Sequence, residues 1–384
     1  MTGRLRILRV HPSLDPRHGG IVSSLTSTTR ALTSEAAITV LTSDDDPEHQ
    51  GPVRDAGAEI ITLPRRGRRA FLDVAVSRAD LVVVEGAWQP LAPLISRVCR
   101  HLGVPYLYVP HGALSGDVRS LHPRKHLKKL LWWLLFEQRV MSRASATWFA
   151  SDSELRASLA TFPGTIRNGA VLPLCVDDLG VRPVRGPRSE TRVVTAARLV
   201  PVKRIDVLLT ALSKLPADWS LHVAGTGAPR SSEALGALAD QLEVADRVTW
   251  HGHLDRTELR ALLHECDVYV AAGIESFGMA VAEAMSTSMA IVVSDRVAAS
   301  GWLPGNPWVV PYGDADALAR SLREAGTRAR SGAGAAGTRE VYDETFSAAA
   351  FRKGFVELVV RVLDQTTAQT TNHHSSAEGK TRRR

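Results

Sequence analysis

Short apolar runs with the composition of buried strands alternate with longer amphipathic runs along most of this chain. No other feature of the sequence restricts the fold as strongly, because this alternation is typical of parallel α/β sheets, in which each helix connects two neighbouring strands. In the first half, strands are predicted over residues 5–10, 37–41, 59–62, 81–84, 106–109 and 147–149. Helices are predicted between them over 21–32, 88–101 and 124–142.

A polar segment interrupted by proline and glycine, residues 181–190, divides the pattern and predicts a linker. Beyond it, strands are predicted over 192–195, 220–224, 248–250, 268–271 and 290–294, and helices over 205–215, 232–243, 257–264 and from about 279. A chain of 384 residues exceeds what one hydrophobic core usually serves. We therefore predict one α/β domain over 1–180 and a second over 191–345. An amphipathic helix over 346–364 and a disordered polar tail over 365–384 complete the prediction.

The composition leaves several classes of partner open. Hydrophobic residues make up 44% and charged residues 23%, which is ordinary for a globular protein. Cys99, Cys175 and Cys266 are scattered without metal spacing, and the first residues do not form a signal peptide, so we expect a reducing, cytoplasmic location. The apolar run 130–136 is too short to span a bilayer. The net charge of +7 favours anionic partners, among them nucleic acid, acidic lipid and nucleotide diphosphate.

Two carboxylates eight residues apart, Glu275 and Glu283, bracket a turn at Gly278 that opens into an apolar helix. The preceding segment, 266–272, has the composition of a short buried strand. Ligands of open parallel sheets bind beyond the carboxyl ends of the strands, and the unpaired N–H groups of a helix start suit phosphate. Phosphate does not favour nearby carboxylates, whereas sugar and ribose hydroxyls can donate to them. The stretch therefore predicts a nucleotide-sugar site.

These residues resemble the E-x7-E signature of the retaining glycosyltransferases of family 4, and further segments follow that family's order. The segments are Ala196–Arg204 (G-R-L-x3-K), Leu221–Gly227 (ending in G-x-G), Trp250–Leu254 (F-x-G-x-V), His18–Gly20 (the Gly-Gly loop), Pro110–Gly112 (H-G) and Ile166–Gly169 (P-N-G). The resemblance covers roughly residues 5–363. It implies the GT-B fold, in which two Rossmann-like domains face each other across a cleft and a C-terminal helix crosses back to the first domain. In that fold the domain over 1–180 would be the acceptor side, and the domain over 191–345 would bind the nucleotide sugar.

The resemblance also implies roles for particular side chains. Glu283 is expected to bind the nucleotide ribose, and Glu275 to face the donor sugar. Arg198 and Lys203 are expected to hold the diphosphate, stabilising the charge that grows on it as the glycosidic bond breaks. His111 is expected to bind a sugar hydroxyl near the reacting carbon or to position the acceptor. The further donor-binding residues are expected to be Gly20, Gly225, Gly227, His253, Leu254, Ser276, Phe277, Gly278 and Met279, and Gly19 is assigned to the acceptor.

The resulting hypothesis is a retaining hexosyltransferase that uses a UDP- or GDP-linked sugar and a hydroxyl acceptor in polysaccharide, glycolipid or secondary-metabolite biosynthesis. The resemblance implies no metal or other cofactor. Asp44–Asp46 superficially matches a metal-binding D-x-D motif but is interpreted as a solvated acidic loop. One rival is a nucleotide-sugar 2-epimerase of the same fold, which would turn over the donor without an acceptor. A second is a basic nucleic-acid-binding protein, although no binding module is recognisable.

Basic residues beside tryptophans predict peripheral association with the inner face of an anionic membrane. Lys125, Lys128 and Lys129 precede Trp132 and Trp133, and a second basic cluster contains Arg65, Arg66, Arg68 and Arg69. A helix that packs on the core with a basic outer face is the alternative. If the protein does bind the membrane surface, an acceptor on a lipid carrier follows naturally.

The sequence departs from the family pattern at several positions. Ala197 stands where G-R-L has glycine, and Ser288 where glycine usually follows E-A-M-A. The P-N-G-V-D segment has lost its proline and its aspartate at residues 167–171. These changes leave the predicted fold intact, but they leave the donor open and admit an inactive member.

Overall fold

A computed structural model describes residues 4–15, 20–114, 131–183, 190–303, 308–331 and 337–381. The chain forms two compact units: unit 1 comprises Met1–Cys175 and Ala348–Arg384, and unit 2 comprises Val176–Ser347. The division falls a few residues before the predicted linker, of which 184–189 lie outside the described residues. Its physical reason is that Val176 is bonded into unit 2: its N–H donates to Phe346 O (2.9 Å), and its carbonyl accepts from the Tyr342 hydroxyl (2.8 Å).

Unit 1 contains a parallel sheet with the strand order β3-β2-β1-β4-β5-β6-β7. Its strands are β1 Leu5–Val10, β2 Ala36–Thr42, β3 Glu59–Thr62, β4 Leu81–Glu85, β5 Tyr106–Val109, β6 Ala146–Phe149 and β7 Gly169–Val171. Its helices before residue 176 are α1 Gly20–Leu32, α2 Pro47–Asp55, α3 Arg68–Ser77, α4 Ala92–Leu102, α5 Gln138–Arg143 and α6 Asp152–Thr161, and a π-helical turn, Trp133–Glu137, leads into α5. The strand order reverses between β1 and β4, so the carboxyl ends of these strands form the crevice in which such sheets bind ligands.

Unit 2 repeats this arrangement with a parallel sheet in the order β10-β9-β8-β11-β12-β13. Its strands are β8 Thr191–Ala196, β9 Trp219–Ala224, β10 Val248–Gly252, β11 Val268–Ala271, β12 Ala290–Ser294 and β13 Val309–Val310. Its helices are α7 Ile205–Ser213, α8 Pro229–Gln241, α9 Arg256–Glu265, α10 Met279–Ser286, α11 Ala315–Arg330 and α12 Thr338–Thr345, with 3₁₀ turns at Pro201–Lys203, Ala245–Arg247 and Ala298–Trp302. The reversal here lies between β8 and β11, which places the predicted nucleotide-sugar residues at the crevice of this sheet.

The terminal helix, α13 (Ala348–Thr381), returns to unit 1 and packs on α1. Its Phe351 and Phe355 lie against Trp148, with ring centroids 5.7 and 6.0 Å apart. The helix continues past the predicted end at residue 364 and through most of the predicted disordered tail. Residues 365–381 contain no proline, so nothing in this stretch interrupts the backbone hydrogen bonds of the helix.

The prediction of an α/β protein with two Rossmann-like parallel sheets is confirmed. Both sheets are buried by helices, as the continuous apolar composition of strands such as β4 and β11 indicates. Among the described residues, no helix combines the length and the apolar composition that crossing a lipid bilayer requires.

Candidate active site

The loops that follow β8, β9, β10, β11 and β12 are joined into one backbone network at the carboxyl edge of the unit 2 sheet. The hydrogen bonds that join them run from Ala197 N to Ala224 O (2.9 Å), Leu199 N to Thr226 O (2.9 Å), Gly225 N to Gly252 O (2.6 Å), Ile274 N to Val202 O (3.0 Å) and Glu275 N to Arg296 O (3.2 Å). The predicted donor-binding residues of this unit therefore lie on adjacent loops that hold one another in place.

Gly225 and Gly227 are required by this close approach of the loops. A Cβ on Gly225 would lie 1.9 Å from Ala197 O, and one on Gly227 would lie 2.5 Å from Leu199 O. Gly225 also has a φ of +134°, a backbone conformation that residues with a side chain rarely adopt. Both glycines thus allow the loops after β8 and β9 to pack closely, and their contact with a donor stays a prediction.

Lys203 and Glu275 form an ion pair at this edge, with Nζ 2.8 Å from Oε1 and side chains 17% and 15% exposed. Lys203 ends the 3₁₀ turn that precedes α7. Glu275 is fixed on both sides, because its carbonyl also accepts from Ala298 N at 2.9 Å. Arg198, the other predicted cation, is exposed at the start of the same loop. The structure therefore brings together one acid and one cation of the predicted set, on partly buried surface.

The start of α10 offers backbone N–H groups of the kind that bind anions. Gly278 caps the helix with a φ of +100°, and Met279 is its first residue. The Phe277 ring is buried against Trp302 and Phe346, with both centroid distances 5.6 Å. Phe277 can therefore contribute only its backbone to a ligand, whereas Ser276 is exposed.

Glu283 lies one turn inside α10, and the pKa of its carboxyl is raised to about 7. Burial is the main cause, the nearby charge of Glu275 adds to it, and that of Arg256 opposes it. The residue keeps a partly exposed surface. Arg256 begins α9 and forms an ion pair with Asp177. His253 and Leu254, which come just before α9, are exposed and half-buried respectively.

His111 follows β5 at the carboxyl edge of the unit 1 sheet. Its Nε2 lies 2.7 Å from Glu85 Oε2, at the end of β4, and Glu85 Oε1 accepts from Arg9 Nε of β1 at 2.9 Å. Burial alone would raise the pKa of Glu85, but the charge of Arg9 and the hydrogen bond from His111 outweigh it and lower that pKa to about 2. Glu85 is therefore ionised throughout the physiological range.

Of the two glycines predicted to bind ligands in unit 1, the structure describes only Gly20. Gly20 is the first residue of α1, and a Cβ there would meet no atom of the described residues within 4 Å. Packing thus gives no reason for a glycine at this helix start, and its predicted role in donor binding stays a prediction. Gly19 lies outside the described residues.

The acidic segment Asp44–Asp46 has structural partners. Asp46 caps α2 by accepting from Glu48 N at 2.9 Å, and Asp44 accepts from Ser13 Oγ and Leu14 N at 3.0 and 2.9 Å. Over the ranges that the structure describes, no group of three or more His, Cys, Asp or Glu side chains could hold a metal ion.

Sequence reasoning did not identify Arg9, Glu85 and Arg256. A signal for Glu85 exists in retrospect: it is a single carboxylate at the end of the wholly apolar run Leu81–Val84. Similarly, Arg9 lies among the apolar residues Ile7, Leu8 and Val10 of β1. Charged residues at such buried strand positions are rare unless they are paired or functional.

Two sequence-family models together match most of the chain. The model of the glycosyl transferases group 1 matches residues 182–328, and the model of the glycosyl transferase 4-like domain matches residues 19–175. The chain belongs to the group 1 glycosyl transferases. The predicted membership in glycosyltransferase family 4 is thereby confirmed, and each matched region lies largely within one of the two units.

Curated relatives resemble parts of this glycosyltransferase. A D-inositol 3-phosphate glycosyltransferase of Xylanimonas cellulosilytica is 35% identical over 177 residues, which cover 42% of each chain. One of Mycobacterium ulcerans is 35% identical over 130 residues, covering 32% of this chain and 27% of the relative. The chain therefore matches less than half the length of these curated relatives.

Solved structures show the same fold over nearly the whole length. Anabaena Alr3699/HepE, crystallised in complex with UDP and glucose, superposes with a TM-score of 0.76 at 17% identity, covering 93% of this chain and 100% of that chain. At this identity the likeness shows the fold alone.

Proposed function

We propose that this glycosyltransferase transfers a hexosyl group from a nucleotide diphosphate sugar to a hydroxyl acceptor, with retention of the anomeric configuration. The observation that carries the proposal is the carboxyl edge of the unit 2 sheet, where the Lys203–Glu275 pair joins two interlocked loops and α10, which contains Glu283, begins just after Glu275. Cations and helix N–H groups suit the diphosphate, and the carboxylates suit hydroxyls. The fold shared with a structure that contains UDP and glucose agrees with this class of donor.

In the proposed reaction, the bond between the anomeric carbon and the diphosphate oxygen breaks, and its electrons stay on the diphosphate. Lys203, Arg198 and the N–H groups at the start of α10 stabilise this growing charge. The acceptor oxygen bonds to the same face of the anomeric carbon, and its proton passes to an oxygen of the departing diphosphate. No residue of the chain is assigned as a nucleophile, so we propose front-side transfer without a covalent intermediate.

In the absence of ligand, the Glu275 carboxylate compensates the positive charge of Lys203. An ammonium group has three donors, so Lys203 can keep Glu275 and bind a phosphate oxygen at the same time. Glu275 then stays oriented towards the donor sugar while Lys203 contacts the diphosphate. Loss of Lys203 would leave a partly buried carboxylate without its partner and would remove a phosphate ligand, so binding and catalysis should fall together.

The proposal is tested by incubating the protein with UDP- and GDP-hexoses, with and without hydroxyl acceptors that include D-inositol 3-phosphate, the compound in the names of its relatives. Transfer that requires an acceptor, with an α-linked product from an α-linked donor by NMR, supports it. Turnover of donor alone to an epimerised sugar would support the 2-epimerase instead. Salt-sensitive binding to nucleic acid without donor turnover would favour the basic-protein rival.

We further propose that unit 1 associates with anionic membrane surfaces from the cytoplasmic side. Leu131, Leu134 and Leu135 are 52%, 55% and 51% exposed around the π-helical turn. The cluster Arg65, Arg66, Arg68 and Arg69 is exposed at the start of α3, and α3 packs on α4, which packs on α5. The basic residues Lys125, Lys128 and Lys129 lie outside the described residues. Exposed leucines near arginines suit the interface of an acidic bilayer.

The membrane proposal predicts co-sedimentation with phosphatidylglycerol vesicles at low salt and its loss with phosphatidylcholine vesicles. Replacing Leu134 and Leu135 with serine should weaken binding several-fold, because two apolar side chains no longer insert. Leu159→Ser is a matched control, since Leu159 is also exposed but lies on α6. Equal binding by the double variant and the control would contradict the proposed surface.

A further inference from the structure

A fully buried ion pair links the two central strands of unit 1. Arg9 and Glu85 have side chains that are 3% and 0% exposed. The Arg9 guanidinium also donates to the hydroxyls of Thr28 and Thr29 on α1, at 2.8 and 3.0 Å. Burying two charges costs several kcal/mol in desolvation, and apolar residues of similar volume often serve stability as well or better. Stability therefore gives a weak reason for the pair, and its position at the β1–β4 crevice suggests another one.

Each oxygen of Glu85 has a separate partner. Arg9 occupies Oε1, and Oε2 receives the hydrogen bond from His111 Nε2 at 2.7 Å. An ionised carboxylate can only accept, so Nε2 must carry the proton. Among the described residues, this is the only hydrogen bond of the His111 ring. A neutral ring held in this way has its lone pair on Nδ1, which can then accept a hydrogen bond from a hydroxyl.

The backbone of His111 is held by a second buried carboxylate. His111 and Gly112 have φ values of +50° and +74°, in the left-handed region. For a residue with a side chain, this conformation costs about 1–2 kcal/mol. Gly112 N donates to Glu154 Oε1 at 2.5 Å, and Glu154 also accepts from Ala150 N at 2.8 Å. Within the described ranges, the imidazole thus has Glu85 and Glu154 as charged neighbours, with Arg9 behind Glu85, and ring and backbone are fixed independently.

We infer that Glu85, oriented by Arg9, is a positioning residue that holds His111 in the Nε2–H tautomer and so presents Nδ1 as a hydrogen-bond acceptor to a substrate hydroxyl. This inference rests on the proposed function, because it takes His111 to contact the substrate. It adds the direction of the hydrogen bond: the sugar or acceptor hydroxyl is the donor and the imidazole the acceptor.

The test is ¹⁵N NMR of the full chain labelled at histidine, with the His111 signals assigned by their loss in His111→Asn. We expect the Nε2–H tautomer in the wild type. In Glu85→Gln, the amide oxygen should turn towards Arg9 and the NH₂ towards the ring, which moves the proton to Nδ1. The kcat of this variant should fall about 10- to 100-fold, the equivalent of one hydrogen bond to a charged group, while the donor KM changes little.

Glu137→Gln is the matched control. Glu137 is also a fully buried carboxylate of unit 1, but it accepts from Trp88 N at 3.0 Å and Trp132 Nε1 at 2.8 Å. This variant should keep the His111 tautomer and a kcat near that of the wild type, even if it melts at a lower temperature. A loss of kcat equal to that of Glu85→Gln would show that any lost buried carboxylate has this effect, and would overturn the inference.

The wild-type spectrum decides even if Glu85→Gln fails to fold, because an Nδ1–H tautomer in the wild type overturns the inference directly. A folded Glu85→Gln with unchanged tautomer and kcat overturns it as well. Absence of glycosyl transfer by the wild type contradicts the proposed function itself, whereas an active wild type with an insensitive Glu85→Gln contradicts only the role of Glu85.

Discussion

Glu283 is a single carboxyl through which, in the proposed site, pH would affect ligand binding. Its pKa of about 7, raised mainly by burial, means that protonated and ionised forms coexist near neutral pH. Ribose hydroxyls donate to the ionised form, whereas a protonated carboxyl has lost part of its accepting capacity. If Glu283 binds the ribose as proposed, the ligand and the proton compete for the same carboxyl.

We predict that UDP binds more tightly as the pH rises from 6 to 8. Glu283→Gln should bind UDP roughly tenfold or more weakly and should lose this pH dependence, because the amide does not ionise. Isothermal titration calorimetry across this range measures both effects. A wild-type affinity that does not change with pH, or an identical slope in the variant, would argue against the ribose assignment.

Without ligand, the sign of the stability effect is opposite. The folded protein holds the Glu283 proton more tightly than the unfolded chain does, so this group stabilises the fold below about pH 4.5, and its contribution is lost as the pH rises through about 7. Glu283→Gln should therefore unfold at a higher temperature than the wild type at pH 8, and the gain should shrink towards pH 5. Calorimetry at the two pH values checks this, and an equal gain at both would exclude ionisation as its cause.

Ser288 is a second residue with a distinct local consequence. It stands where the family usually has glycine, and its φ is +62°, so it bears the strain that glycine avoids. We predict that Ser288→Gly stabilises the protein by about 0.5–1 kcal/mol, since the relieved strain exceeds the entropy lost by a glycine. Urea denaturation measures the change. Thr287→Gly is the control: its φ is −90°, so glycine there should destabilise.

At the scale of elements, the edge of the unit 2 sheet depends on glycines that let loops touch. We predict that Gly225→Ala disrupts the contact with Ala197, lowers the melting temperature and weakens UDP binding at least tenfold, because a Cβ would overlap a carbonyl oxygen. Gly236→Ala, within α8, is the matched control: a Cβ there meets no described atom within 4 Å, and alanine favours helix. Equal effects of the two substitutions would show that the loop contact is unimportant.

The sequence predicted most of the apolar strands well, but it missed the shortest strands and several helices, including α11. Strands β3, β5, β11 and β12 were predicted with the bounds that the structure shows. Strands β7 and β13 were missed, because Gly169–Val171 and Val309–Val310 are too short to form an apolar pattern. Helix α2 was missed because it is polar and contains Pro52. Local composition does not reveal such elements, which depend on their neighbours in the sheet or on capping contacts.

Candidate site residues could be predicted only where they lie close together in sequence or follow a family motif. Glu275, Glu283 and Lys203 were proposed in this way and their roles stay predictions, whereas the direct pairing of Lys203 with Glu275 was not foreseen. Arg9 and Glu85 contact each other because β1 and β4 are neighbours. That neighbour relationship is a property of strand order, which the spacing of residues along the chain does not express.

At the scale of the whole molecule, bound UDP, the nucleotide part of the proposed donor, should stabilise the fold without a metal ion. We predict that UDP at about 100 times its Kd adds about 2.7 kcal/mol to the free energy of unfolding of the intact chain. The shift in melting temperature should be the same with and without EDTA, because the proposed site uses Lys203, Arg198 and backbone N–H groups for the diphosphate. A shift that appears only with a divalent cation would contradict the proposed diphosphate contacts.

The return of α13 to unit 1 has a consequence for how the polypeptide matures on the ribosome. Phe351 and Phe355, which cover Trp148, are translated only after every residue of unit 2. While unit 2 is being translated, the N-terminal part of unit 1 therefore lacks the two rings that cover Trp148. Nascent chains halted before residue 348 should be the species that chaperones hold longest.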